Sequence, residues 1–418
     1  MYCNKKKRID FERSQFDLIT REKVMAQTLI SFLGKALDNK NYRSATYQFE
    51  ENIYETDNFF GMALQKQIRA EKIVILGTDG SMWSVLVEHL STEDQSAYED
   101  ERLALMDAKK VTQDLLDKVK PLVEKHFGVT CHLEIIPYGR TQAEQIQILQ
   151  SMAKHLDAQD QVSIDVTHGF RHLPMLGLVS AVYLKIARQI NVVGLYYGAL
   201  DMTEDQKTPV LRLDGLLHIV EWIIAIQSFN TNGDYSIFCQ LLTLEDVADE
   251  TTDLLKKAAF LERNQDVAGA RAPLKKFNQA LAEKSFTGVG QLFEAKLKER
   301  LAWVEKPDLF QRQHNRAMFY LNNRDYLRAA TLGFESFITK NVPQGKDVQN
   351  YEIRARAKKS FEESNSKSSE AKKNYDLLRN LRNALAHADR SNIKKIQQAR
   401  SAEEKMQTLL TELLKSIE

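Results

Sequence analysis

Gln161-Val-Ser-Ile-Asp165-Val-Thr-His168-Gly-Phe-Arg171-His-Leu-Pro-Met-Leu-Gly177 changes character twice along its length. Val162 to Val166 is apolar and β-branched, the pattern of a buried strand. Thr167, His168 and Gly169 then make a polar turn. From Phe170 onward Leu173, Leu176, Gly177, Ser180 and Tyr183 recur on one helical face. Pro174 falls in the first turn, where its missing N–H costs nothing. The order strand, polar turn, helix sets a hydroxyl, an imidazole, bare backbone and a guanidinium at a helix N-terminus, where unpaired N–H groups favour an anion. Gly169 permits close approach of a ligand to the backbone. Asp165 is placed to tie the turn together through backbone N–H groups.

Strand patterns are expected at Leu29–Leu33, Ile73–Leu76, Cys131–Ile136, Val162–Val166, Val192–Tyr197 and Val210–Leu213. Helical patterns separate most of them, at Phe59–Arg69, Met82–His89, Leu103–Phe127, Ala143–Leu156 and Phe170–Arg188. Such alternation predicts a six-stranded, mostly parallel, doubly wound sheet. In these sheets ligands lie beyond the carboxyl ends of the strands. Each end here offers groups a nucleotide can use: Gly34 and Lys35; Gly77, Thr78 and Ser81, with the Trp83 indole for stacking; Arg140; Thr167, His168, Gly169 and Arg171; and Tyr197 with Gly198.

Composition narrows the classes. The chain has 418 residues, 43% hydrophobic and 28% charged, enough for two or three domains with sizeable cores. A net charge of +1 gives no global affinity for nucleic acid, so any RNA site must be a local patch. Cys3, Cys131 and Cys239 are odd in number and far apart, which fits a reducing cytoplasm rather than a disulfide framework. No run approaches the roughly 18 apolar residues of a membrane span. The sequence lacks GxxxxGK[ST], a GxGxxG after the first strand, and HExxH, so P-loop, dinucleotide and zinc-protease chemistry are disfavoured.

Asp165-x-Thr167-His168-Gly169 resembles the DxTHG motif of CRISPR-associated proteins with a CARF domain, a Rossmann-like sensor of cyclic oligoadenylates. Phe170-Arg171-His172-Leu173-Pro174 continues the resemblance, and Ser31-Phe32-Leu33-Gly34 is similar to the first strand and turn of that family. The resemblance implies a sensor domain over residues 25–214, with residues 1–24 as an appendage or a misassigned start.

After Asp214-Gly215 strand signals stop. Leu216–Phe229 reads as a long apolar helix, and residues 215–418 are helical in pattern almost throughout. Tyr326, Ala329, Ala330, Gly333, Phe334 and Phe337 trace one apolar face; Met406, Leu409, Leu410, Leu413, Leu414 and Ile417 trace another, either core or an oligomer seam. Lys358 to Lys373 has little apolar content and reads as a loop or frayed helix. Arg382-Asn383-x-x-x-His387 is similar to the R-x4–6-H signature of HEPN ribonucleases. At about 100° per residue, Arg382 and His387 stand about 140° apart on a helix, a spacing suited to a cleft that the helix borders, such as a dimer interface.

The two resemblances together imply an α/β CARF domain followed by an all-α HEPN domain: a cyclic-oligoadenylate-activated endoribonuclease of type III CRISPR defence. The expected activator is a cyclic oligoadenylate, most commonly the tetra-adenylate, and the expected substrate is single-stranded RNA. Catalysis would need no metal or other cofactor. The expected assembly is a homodimer or higher even oligomer, with no membrane association. His387 would transfer protons, Arg382 would hold phosphate oxygens, Asn383 would orient one of them, and Arg379 could add charge. A ring nuclease acting on the activator, or a non-catalytic sensor, are the alternatives.

Overall fold

The structure, a computed structural model, describes residues 27–35, 44–50, 53–88, 99–283, 286–364, 369–388 and 391–417; the expected appendage at 1–24 lies outside the described residues. The chain divides into two compact units, Met1–Leu217 and His218–Glu418.

The first unit runs β1 (Gln27–Leu33), β2 (Ala45–Glu50), β3 (Ile53–Asp57), α1 (Phe60–Ile68), β4 (Lys72–Gly77), a 3-10 turn (Trp83–Leu86), α2 (Glu99–Asp107), α3 (Gln113–Phe127), β5 (Thr130–Ile135), α4 (Gln142–Ala153), β6 (Gln161–Asp165), α5 (His172–Ala187), β7 (Asn191–Gly198) and β8 (Lys207–Arg212). The sheet has eight strands in the order β3-β2-β8-β7-β6-β1-β4-β5. It is mixed, not six-stranded and mostly parallel as expected: β7 pairs with β8 and β2 with β3 antiparallel. The hairpin β2–β3 accounts for the two extra strands. Its residues Thr46, Gln48, Glu50 and Glu55 are polar; β3 lies at the sheet's edge with β2 beside it, so neither carries the apolar run of a central strand and the pattern does not stand out.

Five strands, β7-β6-β1-β4-β5, are parallel throughout. Taken in chain order from β1, they follow the doubly wound arrangement in which the chain first builds one side of β1 and then returns to build the other. The winding reverses between β1 and β6, so the crevice opens beyond Leu33 and Asp165. Two apolar layers cover the sheet. One packs Leu29, Ile73 and Ile75 with α1 and α3; the other packs Ile30, Val74, Val162 and Ile164 with Ile148 of α4 and Leu173, Ala181 and Leu184 of α5.

Beyond β8, α6 (Asp214–Asn232) leads into a helical unit comprising α7 (Phe238–Leu244), α8 (Asp249–Arg263), α9 (Val267–Glu283), α10 (Glu294–Leu301), α11 (Leu309–Asn322), α12 (Tyr326–Lys340), α13 (Tyr351–Ser364), α14 (Glu370–Ala386), α15 (Lys394–Arg400) and α16 (Glu403–Lys415). Its apolar stripes meet in one core, in which Leu410, Leu413 and Leu414 of α16 join Ala329, Ala330 and Phe334 of α12; the α16 stripe is core. A buried carboxylate, Glu262, accepts hydrogen bonds from Arg316 at 2.5 Å, Tyr235 at 2.8 Å and Tyr320 at 3.0 Å, which offsets the cost of burying its charge inside the core. The segment Lys358 to Lys373, expected as a loop or frayed helix, is helical up to Ser364 in α13 and again from Glu370 in α14.

Candidate functional site

The crevice is built around Asp165. Its position in the last pair of β6 sets it beside Ser31 of β1, whose hydroxyl donates to Asp165 Oδ2 at 2.5 Å. The other oxygen, Oδ1, accepts from the Thr167 N–H at 2.7 Å, as expected of a carboxylate closing this turn. Thr167 passes the connection on: its hydroxyl oxygen accepts from the Gly198 N–H, at the end of β7, at 2.8 Å. One chain of bonds therefore fixes the ends of three adjacent strands. Asp165 is fully buried, and burial pushes its pKa up to about 6 against the lowering effect of the Ser31 and Thr167 bonds.

His168 faces α1. Its Nε2 accepts from the Phe60 N–H at 3.3 Å, one of the otherwise unpaired donors of the first helical turn, and its ring lies 5.6 Å from that of Phe59. An accepting Nε2 requires a neutral ring, and burial agrees, holding the His168 pKa down at about 4. Gly169 follows with φ +113°, a conformation that side chains rarely adopt, and a Cβ there would stand 2.9 Å from Leu173 Cδ1.

A second turn leans on this one. His172 Nε2 bonds the Tyr138 carbonyl at 2.9 Å, and so must carry the proton. The Tyr138 hydroxyl donates to Asp79 at 2.7 Å, a bond that is the main reason the Asp79 pKa is lowered. The Arg140 guanidinium lies over the Tyr138 ring at 4.7 Å, and the half-exposed Phe170 packs 5.7 Å from it. Arg140, Arg171 and Lys35 are exposed, each able to meet an anion at the crevice rim.

The remaining expected groups divide. Gly34 and Gly198 mark the ends of β1 and β7, with the partly buried Tyr197 beside Gly198. Thr78 and Ser81 are buried, and they brace the turn after β4. The Ser81 hydroxyl donates to the Leu33 carbonyl at 2.8 Å and accepts from the Thr78 N–H at the same distance. Gly77 leaves room for Trp83, whose ring would lie 2.7 Å from a Cβ there. Trp83 is 1% exposed with Nε1 donating to the Thr78 carbonyl, so the expected stacking indole is core instead. Ser31, Phe170 and His172 carry no expected site role, whereas Tyr138 stands with Arg140 among the strand-end groups that the sequence offers a nucleotide. The signal for Ser31 was present: it is the polar residue inside Leu29-Ile30-Ser31-Phe32-Leu33.

Residues 28–201 match the family model for the CARF domain of the CRISPR system endoribonuclease Csx1. That match covers most of the first unit. CRISPR-associated protein MJ1674 of Methanocaldococcus jannaschii is 26% identical over 402 residues, a match covering 87% of this chain and 62% of that relative. The chain thus spans less than two thirds of that relative's length; residues 28–201 are similar to a CARF domain, and most of the chain is similar to a CRISPR-associated protein.

In the helical unit, α14 carries Arg382 and Asn383, both half-buried, and ends at His387, which is exposed. The His387 N–H bonds the Asn383 carbonyl at 3.0 Å, and Ala388 turns into the left-handed region with φ +54°. Arg382 lies over the Phe334 ring at 4.9 Å, and its buried Nε has no hydrogen-bond partner. Arg379 differs from expectation: its guanidinium is engaged by Glu362 at 3.0 Å and Asp376 at 3.2 Å, so its charge is already neutralised. Among the described residues no group of His, Cys, Asp and Glu could hold a metal ion, and no helix is long and apolar enough to cross a membrane.

Proposed function

We propose that this chain is a CRISPR type III effector in which a cyclic oligoadenylate, most simply cyclic tetra-adenylate, binds the CARF crevice and activates a metal-independent, HEPN-type endoribonuclease in the helical unit. The observation that carries the reading is the turn Thr167-His168-Gly169, locked by Asp165 at the point where the sheet's winding reverses. Open backbone at Gly169 and the cations Arg140 and Arg171 suit phosphodiesters, and Phe170 with Tyr138 supplies a surface for a base. The ring is symmetric, so the protein would bind it as a homodimer or higher even oligomer. Met175, Val179 and Ile186 support a second copy as partner: they leave an exposed apolar stripe on α5, the helix that follows the turn.

In the helical unit the RNA 2′-hydroxyl would attack the adjacent phosphorus, leaving a 2′,3′-cyclic phosphate and a 5′-hydroxyl. His387, exposed at a helix end, would move the proton, and Arg382 would hold the phosphorane oxygens. Asn383 lies one helical turn before His387 and would orient it or the phosphate.

The test is to incubate the full chain with cyclic tri-, tetra- or hexa-adenylate and a fluorogenic RNA in EDTA. Cleavage with one ring size and not without it is expected. Binding without RNA cleavage would leave a non-catalytic sensor, loss of the ring itself would reveal a ring nuclease, and no binding would overturn the sensor reading.

A further inference from the structure

A cavity of about 650 Å³ lies on the first unit beside α1 and the last turn of α3, within the usual range for small-molecule sites. None of its lining residues takes part in the bonds that build the crevice. Arg69, Lys66 and His126 bring positive or protonatable groups, while Met62 and Phe127 give it an apolar wall. Lys66 is shared with Asp57 at 3.1 Å and Glu55 at 4.0 Å. Arg69 ends α1 in the left-handed region with its N–H on the Gln65 carbonyl at 2.9 Å, and its exposed guanidinium makes no hydrogen bond or ion pair among the described residues. Gln65 adds a separate observation. It is 6% exposed and lines the cavity; its Nε2 donates to the Ala70 carbonyl at 2.8 Å, but its Oε1 has no partner. A buried acceptor left unpaired is costly, and a ligand N–H offsets that cost.

We propose that this cavity is a second ligand site, for a nucleoside phosphate bearing an exocyclic amino group. The phosphate meets Arg69 and His126, where a guanidinium fork matches phosphate oxygens. The base lies against Met62 and Phe127, and its amino group donates to Gln65 Oε1. Asp57, already bonded to Lys66 and to the Phe59 N–H, makes the site unsuited to a long polyanion and suited to one phosphate with a ribose hydroxyl. The site also reaches the crevice through one rigid element. The C-terminal end of α1 lines the cavity, while its first turn is held by His168 Nε2 through Phe60. An occupant that shifts α1 therefore acts on the DxTHG turn, and by linkage the crevice ligand acts equally on the cavity. The site itself does not depend on the identity of the crevice ligand.

Calorimetry on the full chain with AMP as probe tests this. Arg69→Glu should weaken AMP binding by at least about tenfold, and Gln65→Met should weaken it as well. Arg140→Ala combined with Arg171→Ala, at the crevice rim, should leave it within about twofold. Arg69 is exposed, so its variant reads binding even where Gln65→Met impairs folding. Failure of AMP to bind at millimolar concentration overturns the proposal. So does an affinity that falls with Arg140 and Arg171 but not with Arg69, or that no substitution changes.

Discussion

Ser31 Oγ and Asp165 Oδ2, 2.5 Å apart, join the parallel neighbours β1 and β6, between which the winding of the five parallel strands reverses. The residues are separated by 134 positions, and the bond is buried. It holds a carboxylate inside the protein directly beneath the turn read as the activator site, so the ionisation of that turn and the stability of the fold are linked.

The first prediction uses this linkage. Burial raises the Asp165 pKa to about 6, above its unfolded value, so its contribution to stability is fully present below about pH 4 and is lost as pH rises through about 6. Burial lowers the His168 pKa to about 4, so its contribution is present above about pH 6.5 and is lost as pH falls through about 4. Between these limits the two oppose each other. Asp165→Asn removes one of them, and its unfolding free energy should climb with pH more steeply than the parent's, by up to about 1.4 kcal/mol per pH unit. Urea melts across this window check it, and parallel curves for parent and variant refute it.

How much of this was legible in the sequence depends on the range of the interactions. β1, β4 and β6 are largely buried, while β5 and β7 mix buried with half-buried positions, and each carries enough apolar or β-branched residues for its pattern to mark it. The turn Thr167-His168-Gly169 was legible because its bond from Asp165 spans two residues. Met82–His89 reads as helical, yet its described residues form the 3-10 turn Trp83–Leu86, with the Trp83 indole reaching back to the Thr78 carbonyl. Leu103–Phe127 looked continuous, yet Thr112 begins a new helix by accepting from the Leu115 N–H. The bracing roles of Ser31 and His172 stayed hidden because their partners, Asp165 and Tyr138, are 134 and 34 residues away.

His168 and Arg171, three residues apart, should separate structure from recognition. His168→Ala removes the acceptor for the Phe60 N–H and the ring against Phe59, and should cost about 1–3 kcal/mol of stability as well as activator affinity. Arg171→Ala changes an exposed side chain, and should hold stability within about 0.5 kcal/mol while weakening cyclic oligoadenylate binding at least about tenfold. Thermal melts paired with calorimetry read both quantities. Equal loss of stability in the two variants would refute the division.

The apolar stripe on α5 carries the third prediction. Met175 is 71% exposed, Val179 56% and Ile186 58%, on a helix whose opposite face is buried in the sheet core. If a second copy covers that stripe, Val179→Asp places a charge in the interface and should lower the mass seen by light scattering from dimer to monomer at micromolar concentration. The variant should keep its fold, because Val179 touches solvent in the single chain. A dimer that survives Val179→Asp places the interface elsewhere.

The last prediction concerns the chemistry assigned to α14. His387 is exposed at the helix end, and Arg382 is half-buried against Phe334. If the substrate's own 2′-hydroxyl is the nucleophile, activator-dependent cutting persists in EDTA and fails on RNA that is 2′-deoxy at the cut site. Products then carry cyclic phosphate ends. His387→Ala should lower the rate by roughly 10²–10⁴-fold, the usual size of a lost proton-transfer group. It should not change stability, since the side chain is exposed. Arg382→Lys keeps a positive charge but loses the planar fork, and should also cut poorly. That variant gives up the stacking on Phe334 as well, so its thermal melt must be read beside its rate. Arg379→Ala supplies the contrast. Its guanidinium is bound by Glu362 and Asp376, so its removal should change stability and leave the rate of cutting within about threefold. Cleavage by His387→Ala at the parent's rate would remove the helical unit's claim to the nuclease site, whatever the first unit binds.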